Sequence, residues 1–449
     1  MSEDEDSSRG KSPLKAILDV RREEWPLAAL MFGTFFLVIA TFWILKPIKK
    51  AIFVRLYDEE PLLLFGASLD AAQAELIAKV ANMVVAAVAV VVFSALSRRL
   101  QRERLVLAFS GFFALSLVAY SFFVGSGSQW MGWSFYLYGD LWTTLMVATF
   151  FAFLNDSVTP EAAKRLYGLI VLGGVAGGAF GASFLSVWVD EISYAVWLYI
   201  CTGGVVLIAL QAWLAGRWVA KHQGAGAAAA AEDEPEPSEA GNPALEGAKL
   251  VFGSKYLLSI VAIVGLYEIV STILDFQFTA TIVHYLDGEA IDAQFANVYA
   301  ITNVVSLCVQ LLLTTVLMNR FRLVVALLVT PLVILGGSVG FLVLPVLWAG
   351  SLLNTWDNAF NYSINQSARE ALYTPTSRDE KYKAKAFIDM FVQRFAKALA
   401  VGVSLAITIY FADFESVRWL SAVAIVVTAG WALAAWYGGR RFRELTREE

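Results

Sequence analysis

The stretch WPLAALMFGTFFLVIATFWIL, from Trp25 to Leu45, holds no charged residue and runs straight into Lys46-Pro47-Ile48-Lys49-Lys50. A bilayer core about 30 Å thick is crossed by roughly 20 apolar residues in an α-helix, and a helix satisfies its own backbone hydrogen bonds where no water can. Trp25–Leu45 is therefore read as a membrane span. The abrupt return of charge at Lys46 marks a point where the chain must meet something other than lipid. Further apolar runs lie near 76–97, 104–124, 131–154, 165–188 and 193–216. After a polar gap they resume near 256–283, 295–318, 323–344, 346–366, 386–411 and 417–438, giving twelve spans, six on each side of the gap.

Composition agrees. Hydrophobic residues are 58% of the 449 and charged residues 16%, where a soluble domain carries about a quarter. The 14 Trp fit belts at the two membrane faces. There is no Gly-rich loop ending in Lys-Ser/Thr, no His-Glu-x-x-His and no Cys-x-x-Cys, and the only histidines are His222 and His284. That argues against ATP hydrolysis as an energy source, and neither a metal nor a cofactor is expected. Cys201 and Cys308 lie in apolar runs and read as small buried hydrophobes. Met1 to Lys15 is acidic and Ser-rich, then basic, without a short apolar core, so a removable signal peptide is not expected. The run Leu172 to Gly181 superficially suggests a dinucleotide fingerprint, but it lies inside a span. Gly173, Gly177 and Gly181 are instead spaced for close helix packing.

Lys and Arg in short loops orient the chain. They gather in the N-terminal segment (Lys11, Lys15, Arg21, Arg22) and after span two (Arg98, Arg99, Arg102, Arg104). Others are Lys164 and Arg165, Arg217 and Lys221, Arg320 and Arg322, Arg378, Lys381 and Lys383, and Arg440 to Arg443. The intervening loops, at 125–129, 190–193 and 284–294, are nearly free of them, which places both termini in the cytoplasm of a bacterial inner (plasma) membrane. The gap at 221–245 is Ala-rich, then acidic, and cannot bury a core, so it reads as a cytoplasmic linker. The expected organisation is a cytoplasmic segment at 1–24, a six-helix bundle at 25–220, the linker at 221–245, a second bundle at 246–440 and a cytoplasmic tail at 441–449. Val158 to Arg165 and Thr376 to Lys383 match weakly. Each opens on a hydroxyl suited to cap a helix, and Ser377…Glu380 fits a capping box. An all-α membrane protein of twelve transmembrane helices in two six-helix bundles resembles the major facilitator plan, in which the halves rock around a site near the midplane.

Charges inside spans are functional candidates by default. Lys46, Lys49 and Lys50 are spaced to share a helix face if the helix continues past Pro47. They either snorkel to headgroups or line a cavity and attract an anion. Lys79 follows Glu75 by four, so an intrahelical pair competes with a substrate role. Asp140 lies in Tyr138-Gly139-Asp140-Leu141-Trp142, and Glu268 and Asp275 share a face of span seven. Asp357 sits among Asn354, Asn358, Asn361 and Asn365, a stripe unsuited to lipid. Span eleven adds Lys385, Asp389, Arg394 and Lys397, with Lys383 a cytoplasmic anchor. Structural ion pairs between helices compete with a site role for each. Surplus Lys and Arg favour an anion such as a phosphate ester.

Four stretches resemble the ATP/ADP translocase (nucleotide transporter) family of plastids and intracellular bacteria. They are Leu45 to Lys49; Gly66-Ala67 with Ile77 to Lys79; Tyr138 to Trp142 running on to Glu161–Tyr167; and Arg369 to Tyr373 with Lys383 to Asp389, continuing to Arg394 and Lys397. The resemblance implies twelve helices, exchange of ATP for ADP, and basic residues that grip phosphates. On matching positions it implies substrate or gating roles for Lys46, Lys49, Lys79, Asp140, Asp275 and Lys385.

The expectation is a transporter of nucleotides by alternating access, not an enzyme. Lys46, Lys49, Lys50, Lys79, Asp140, Asp275, Lys385 and Arg394 are expected to contact substrate, and Asp357, Asp389 and Lys397 to couple or gate. The alternative is a proton-coupled carrier of another small solute or organic anion, with Asp140, Asp275 or Asp389 as the proton site. A non-transporting scaffold or sensor gains little from charges inside spans. The partners are an anionic small molecule and the bilayer, with no nucleic acid. The oligomeric state is left open, a monomer being admissible.

Overall fold

Trp25–Leu56 is a single α-helix, α1, which continues through Pro47 for eleven residues past the apolar run. It is seen in a computed structural model that describes residues 20–58, 60–64, 66–222, 243–377, 383–411 and 414–446. The linker expected at 221–245, most of the N-terminal segment and the Ser377…Glu380 box fall wholly or partly outside those residues.

A two-stranded hairpin follows, β1 (Leu62–Leu64) against β2 (Ala67–Leu69), antiparallel with Leu62 opposite Leu69. Gly66 turns it at φ +85°, a conformation open to glycine. α2 (Ala71–Ser97) starts on a reciprocal cap: the Gln73 N–H donates to Asp70 Oδ1 at 2.8 Å and the Asp70 N–H to Gln73 Oε1 at 3.0 Å. Next come α3 (Arg102–Phe123), α4 (Gln129–Ser157), α5 (Pro160–Trp188) and α6 (Tyr194–His222). Thr159 caps α5, accepting from the Ala162 N–H, with Pro160 in the first turn, as the Val158–Arg165 pattern suggested.

The later part begins with a short α7 (Pro243–Gly253) and α8 (Lys255–Tyr285). α9 (Glu289–Cys308) passes through a π-helical turn, Val309–Thr314, into α10 (Thr315–Arg320). α11 is Leu323–Val343. α12 (Leu347–Phe360) reaches α13 (Gln366–Ala371) through a second π turn, Asn361–Asn365. α14 (Lys385–Phe387) reaches α15 (Gln393–Phe411) through another π turn, Ile388–Val392, and α16 is Ser416–Leu445.

Among the described residues eleven helices are long and apolar enough to cross a membrane. The expected span near 346–366 is the exception. There the helix runs on from α12 through the π turn into α13, but its Asn-rich stripe and Asp357 leave it too polar to count. The stripe does avoid lipid, since Asn354, Asp357 and Asn365 are buried. Cys201 is buried as expected, whereas Cys308 is exposed, on the outward side of α9 just before its π turn.

Contacts divide the chain into two compact units, Met1–Lys49 with Val84–Pro237 and Lys50–Met83 with Ser238–Glu449. In the first, α3 packs on α4 and α6. Gly173, Gly177 and Gly181 of α5 lie on the backbone of α1 at Phe32, Phe36 and Ala40. Both sets repeat every four residues, so one stripe of missing side chains receives one ridge of backbone, as the glycine spacing predicted. Phe35 stacks on Phe150 at 4.6 Å, and Trp142 Nε1 donates to the Val38 carbonyl at 3.1 Å.

In the second unit α8 is the central helix, packed by α12, α15 and α16. Gln277, fully buried in α8, ties its amide nitrogen to α16, donating to the Val417 carbonyl and Ser421 Oγ, each at 2.8 Å. Every π-helical stretch among the described residues, 383–384 included, belongs to this unit.

Candidate functional site

In the second unit the last turns of α1 and the first turns of α2 bring Lys50, Glu75 and Lys79 to Asp275 of α8. Lys50 Nζ lies 2.9 Å from Asp275 Oδ1 and 3.4 Å from Glu75 Oε1. Lys79 Nζ is paired with Asp275 Oδ2 and lies 3.4 Å from Glu75 Oε2. Each carboxylate thus puts one oxygen on each ammonium, and the four groups close a ring. Thr279 Oγ1 donates to Glu75 at 3.1 Å, and Asn354 Nδ2 approaches Asp275 Oδ1 at 3.4 Å. Phe278 and Phe295 face Lys50 at 5.6 and 5.3 Å. Two cations in an apolar setting are tolerable only because two anions neutralise them.

In the first unit the basic group is Lys49, paired with Asp140 of α4. Tyr136, one turn before Asp140, presents its ring to Lys49 Nζ at 4.4 Å. Gly139 makes room, because a Cβ there would overlap the Lys49 side chain. The Tyr-Gly-Asp run therefore has a physical reading: the glycine admits the lysine stem that the aspartate receives. Lys46 lies over Trp43, 4.5 Å from its ring.

Lys49 and Lys50 are both buried and do not snorkel to headgroups. Nor do they serve one cluster. As consecutive residues they leave a helix about 100° apart, and each finds its acid in a different unit.

The TLC ATP/ADP transporter family matches residues 116–347 and 342–442, more than half of the chain. The chain belongs to the TLC ATP/ADP transporter family. Among its TLC-type relatives, the chloroplastic ADP,ATP carrier protein 1 of Arabidopsis thaliana is 21% identical over 361 residues. That match takes in 71% of this chain, which spans 55% of the plastid protein's length. ADP,ATP carrier protein 5 of Rickettsia typhi is 21% identical over 447 residues, covering 83% of this chain and 86% of that relative. In fold this TLC-family chain is of the major facilitator kind. The nucleoside transporter NupG superposes with a TM-score of 0.62 over 93% of this chain and all of its own, at 14% identity.

The remaining charged candidates of this family member are held by other partners. Lys385 grips Glu370 at 2.6 and 2.7 Å and lies near the Tyr373 ring. Arg394 donates to the Met83 carbonyl at 3.1 Å, Gln393 donates to Asp389 at 3.0 Å, and Lys397 lies 3.4 Å from Glu268. Asp357 accepts from Ser271 at 2.6 Å, which in turn accepts from Tyr267 at 3.3 Å. Among the described residues no group of three or more His, Cys, Asp or Glu is placed to hold a metal ion. Glu75 is the member of the ring that sequence reasoning set aside as a helical partner of Lys79. Its signal was a carboxylate in the second turn of an otherwise apolar helix, four residues before a lysine.

Proposed function

We propose that this chain exchanges adenine nucleotides, ATP against ADP, across a membrane by alternating access. The observation that carries the reading is the bridged pair Lys50 and Lys79. Two ammoniums joined through the two oxygens of one carboxylate offer the same seat to two oxygens of a phosphate. Membership of the TLC family and the ADP,ATP carrier names of its relatives support the same substrate class. Lys49 with Asp140 is the companion group. Lys46, Lys385 and Arg394 serve the same anion at other stages of the cycle, and Asp389 and Lys397 act in gating. The basic-loop pattern supports both termini in the cytoplasm of a bacterial inner membrane, with sequence halves 25–220 and 246–440 joined by the 221–245 linker.

The test is uptake of labelled ATP into liposomes holding the purified protein, preloaded with ADP or left empty. Uptake that depends on internal ADP is the expected result. Uptake indifferent to internal ADP, or none with folded protein, overturns the exchange reading.

A second reading, proton-coupled transport of another anion, is favoured by one feature: the buried Asp357 at the end of the Tyr267–Ser271 hydroxyl chain. It requires that an imposed pH gradient drive uptake into empty vesicles and that Asp357→Asn abolish that component.

A further inference from the structure

We infer that Glu75 is a positioning residue that limits the grip of Lys50 and Lys79 on phosphate so that the substrate can leave, while Asp275 is the carboxylate the phosphate replaces. The inference rests on the nucleotide-exchange reading above.

The two acids of the ring make equivalent contacts but have unequal access. The Glu75 side chain is 1% exposed and that of Asp275 27%, while Lys79 is 21% exposed and Lys50 4%. One side of the ring, Asp275 with Lys79, is open, and the other, Glu75 with Lys50, is closed. An arriving anion therefore meets Lys79 and competes with Asp275. Glu75 is out of its reach and is held further by the Thr279 hydroxyl at 3.1 Å.

Charge then decides the strength of the grip. At rest, two lysines face two carboxylates and the ring is neutral. When a dianionic terminal phosphate takes the place of Asp275, Glu75 remains and the ring carries one negative charge in excess. Like charges sharing a poorly solvated site repel strongly, so the bound state is held back from being a trap. Were Glu75 neutral, two lysines would face one dianion, a balanced complex that releases slowly. Exchange needs an affinity that permits departure as well as arrival, and a fixed buried carboxylate supplies that limit. A merely structural Glu75 would keep the lysines in place and nothing more.

The experiment measures ADP binding to the purified full chain and ATP/ADP exchange in proteoliposomes for wild type, Glu75→Asp and Glu75→Gln, with thermal unfolding of each. Removing the charge is expected to lower the ADP Kd by about tenfold and to slow turnover by a similar factor. Glu75→Asp, which keeps the charge but withdraws it by one methylene, falls between. Tighter binding with slower turnover is a change that structural damage does not produce. Weaker or unchanged ADP binding in Glu75→Gln, with wild type exchanging normally, overturns the inference and leaves the nucleotide reading intact. If Glu75→Gln yields no folded protein, Glu75→Asp decides alone: a Kd at or above the wild-type value overturns it. Failure of wild type to bind ADP overturns the nucleotide reading and the inference together.

Discussion

Lys49 and Lys50 are neighbours in sequence, yet the electrostatics around them differ in kind. Lys49 has an aspartate whose side chain is 32% exposed and an aromatic ring, an open pair in a unit whose helices run unbroken among the described residues. Lys50 is locked into a ring of four charges, in the unit that holds every π-helical stretch among the described residues. A π turn replaces regular i→i−4 bonding and often marks a functional position. The glycine stripe of α5 on α1 does the opposite, fixing two helices by backbone contact. The first unit reads as scaffold that carries the Lys49–Asp140 pair. The second reads as the part in which charge and helix geometry can be rearranged.

The sharpest way to break this comparison is to remove each lysine in turn. Lys50→Met leaves Glu75 and Asp275 facing Lys79 alone, a buried excess charge. The expected loss of stability is about 3–5 kcal/mol, with nucleotide exchange lost. Lys49→Met leaves an Asp140 that water can reach, and about 1 kcal/mol is expected, nearer to an exposed pair. Thermal unfolding of the detergent-purified variants reads the difference. Equal losses would show that the two sites are not different in kind.

A second substitution tests the scaffold. A side chain at Gly177 has no room, because its first carbon would already overlap the Phe36 carbonyl. Gly177→Leu is expected to destabilise by about 1–3 kcal/mol or more through overpacking. Gly203→Leu is the control, on α6 with nothing within 4 Å of an added Cβ, and stays within about 0.5 kcal/mol. Matching melting temperatures for the two would refute the close α1–α5 approach.

How much of this was legible beforehand follows from the range of each interaction. The spans could be read from length and polarity, and the glycine stripe from its period, because both are properties of one helix. The difference near 346–366 between twelve expected spans and the eleven found among the described residues was half visible. The asparagines were noted as unfit for lipid, but a π turn depends on the packing that replaces the lost bonding. Lys46, Lys49 and Lys50 were read as one face because i, i+3 and i+4 are adjacent on a helix. Which acid each lysine meets depends on residues 91 and 225 positions away, and helical period carries no such information. Glu75 was explained locally by Lys79, and a sufficient local partner concealed its distant ones.

The smallest effect belongs to a half-buried pair at the edge of the first unit, and it sets a pair of two charges beside the ring of four. Arg165 donates to Glu24 just ahead of α1, and the Arg21 N–H donates to the same carboxylate at 3.1 Å. The Arg165 hydrogen bond holds the Glu24 carboxyl below its ordinary value, against a smaller opposing effect of burial. With the folded value depressed, Glu24 contributes its stabilisation fully above the unfolded glutamate value of about 4.3. That contribution is lost as pH falls through the folded value. Water screens the pair, so less than about 1 kcal/mol is at stake. Melting temperature followed downward from pH 6 should therefore drop slightly more steeply for wild type than for Arg165→Gln, with the two curves converging at the acid end. Parallel curves would mean that the pair adds nothing. A convergence as large as the loss seen on removing Lys50 would mean that a half-buried pair at a helix end acts as strongly as the ring of four charges.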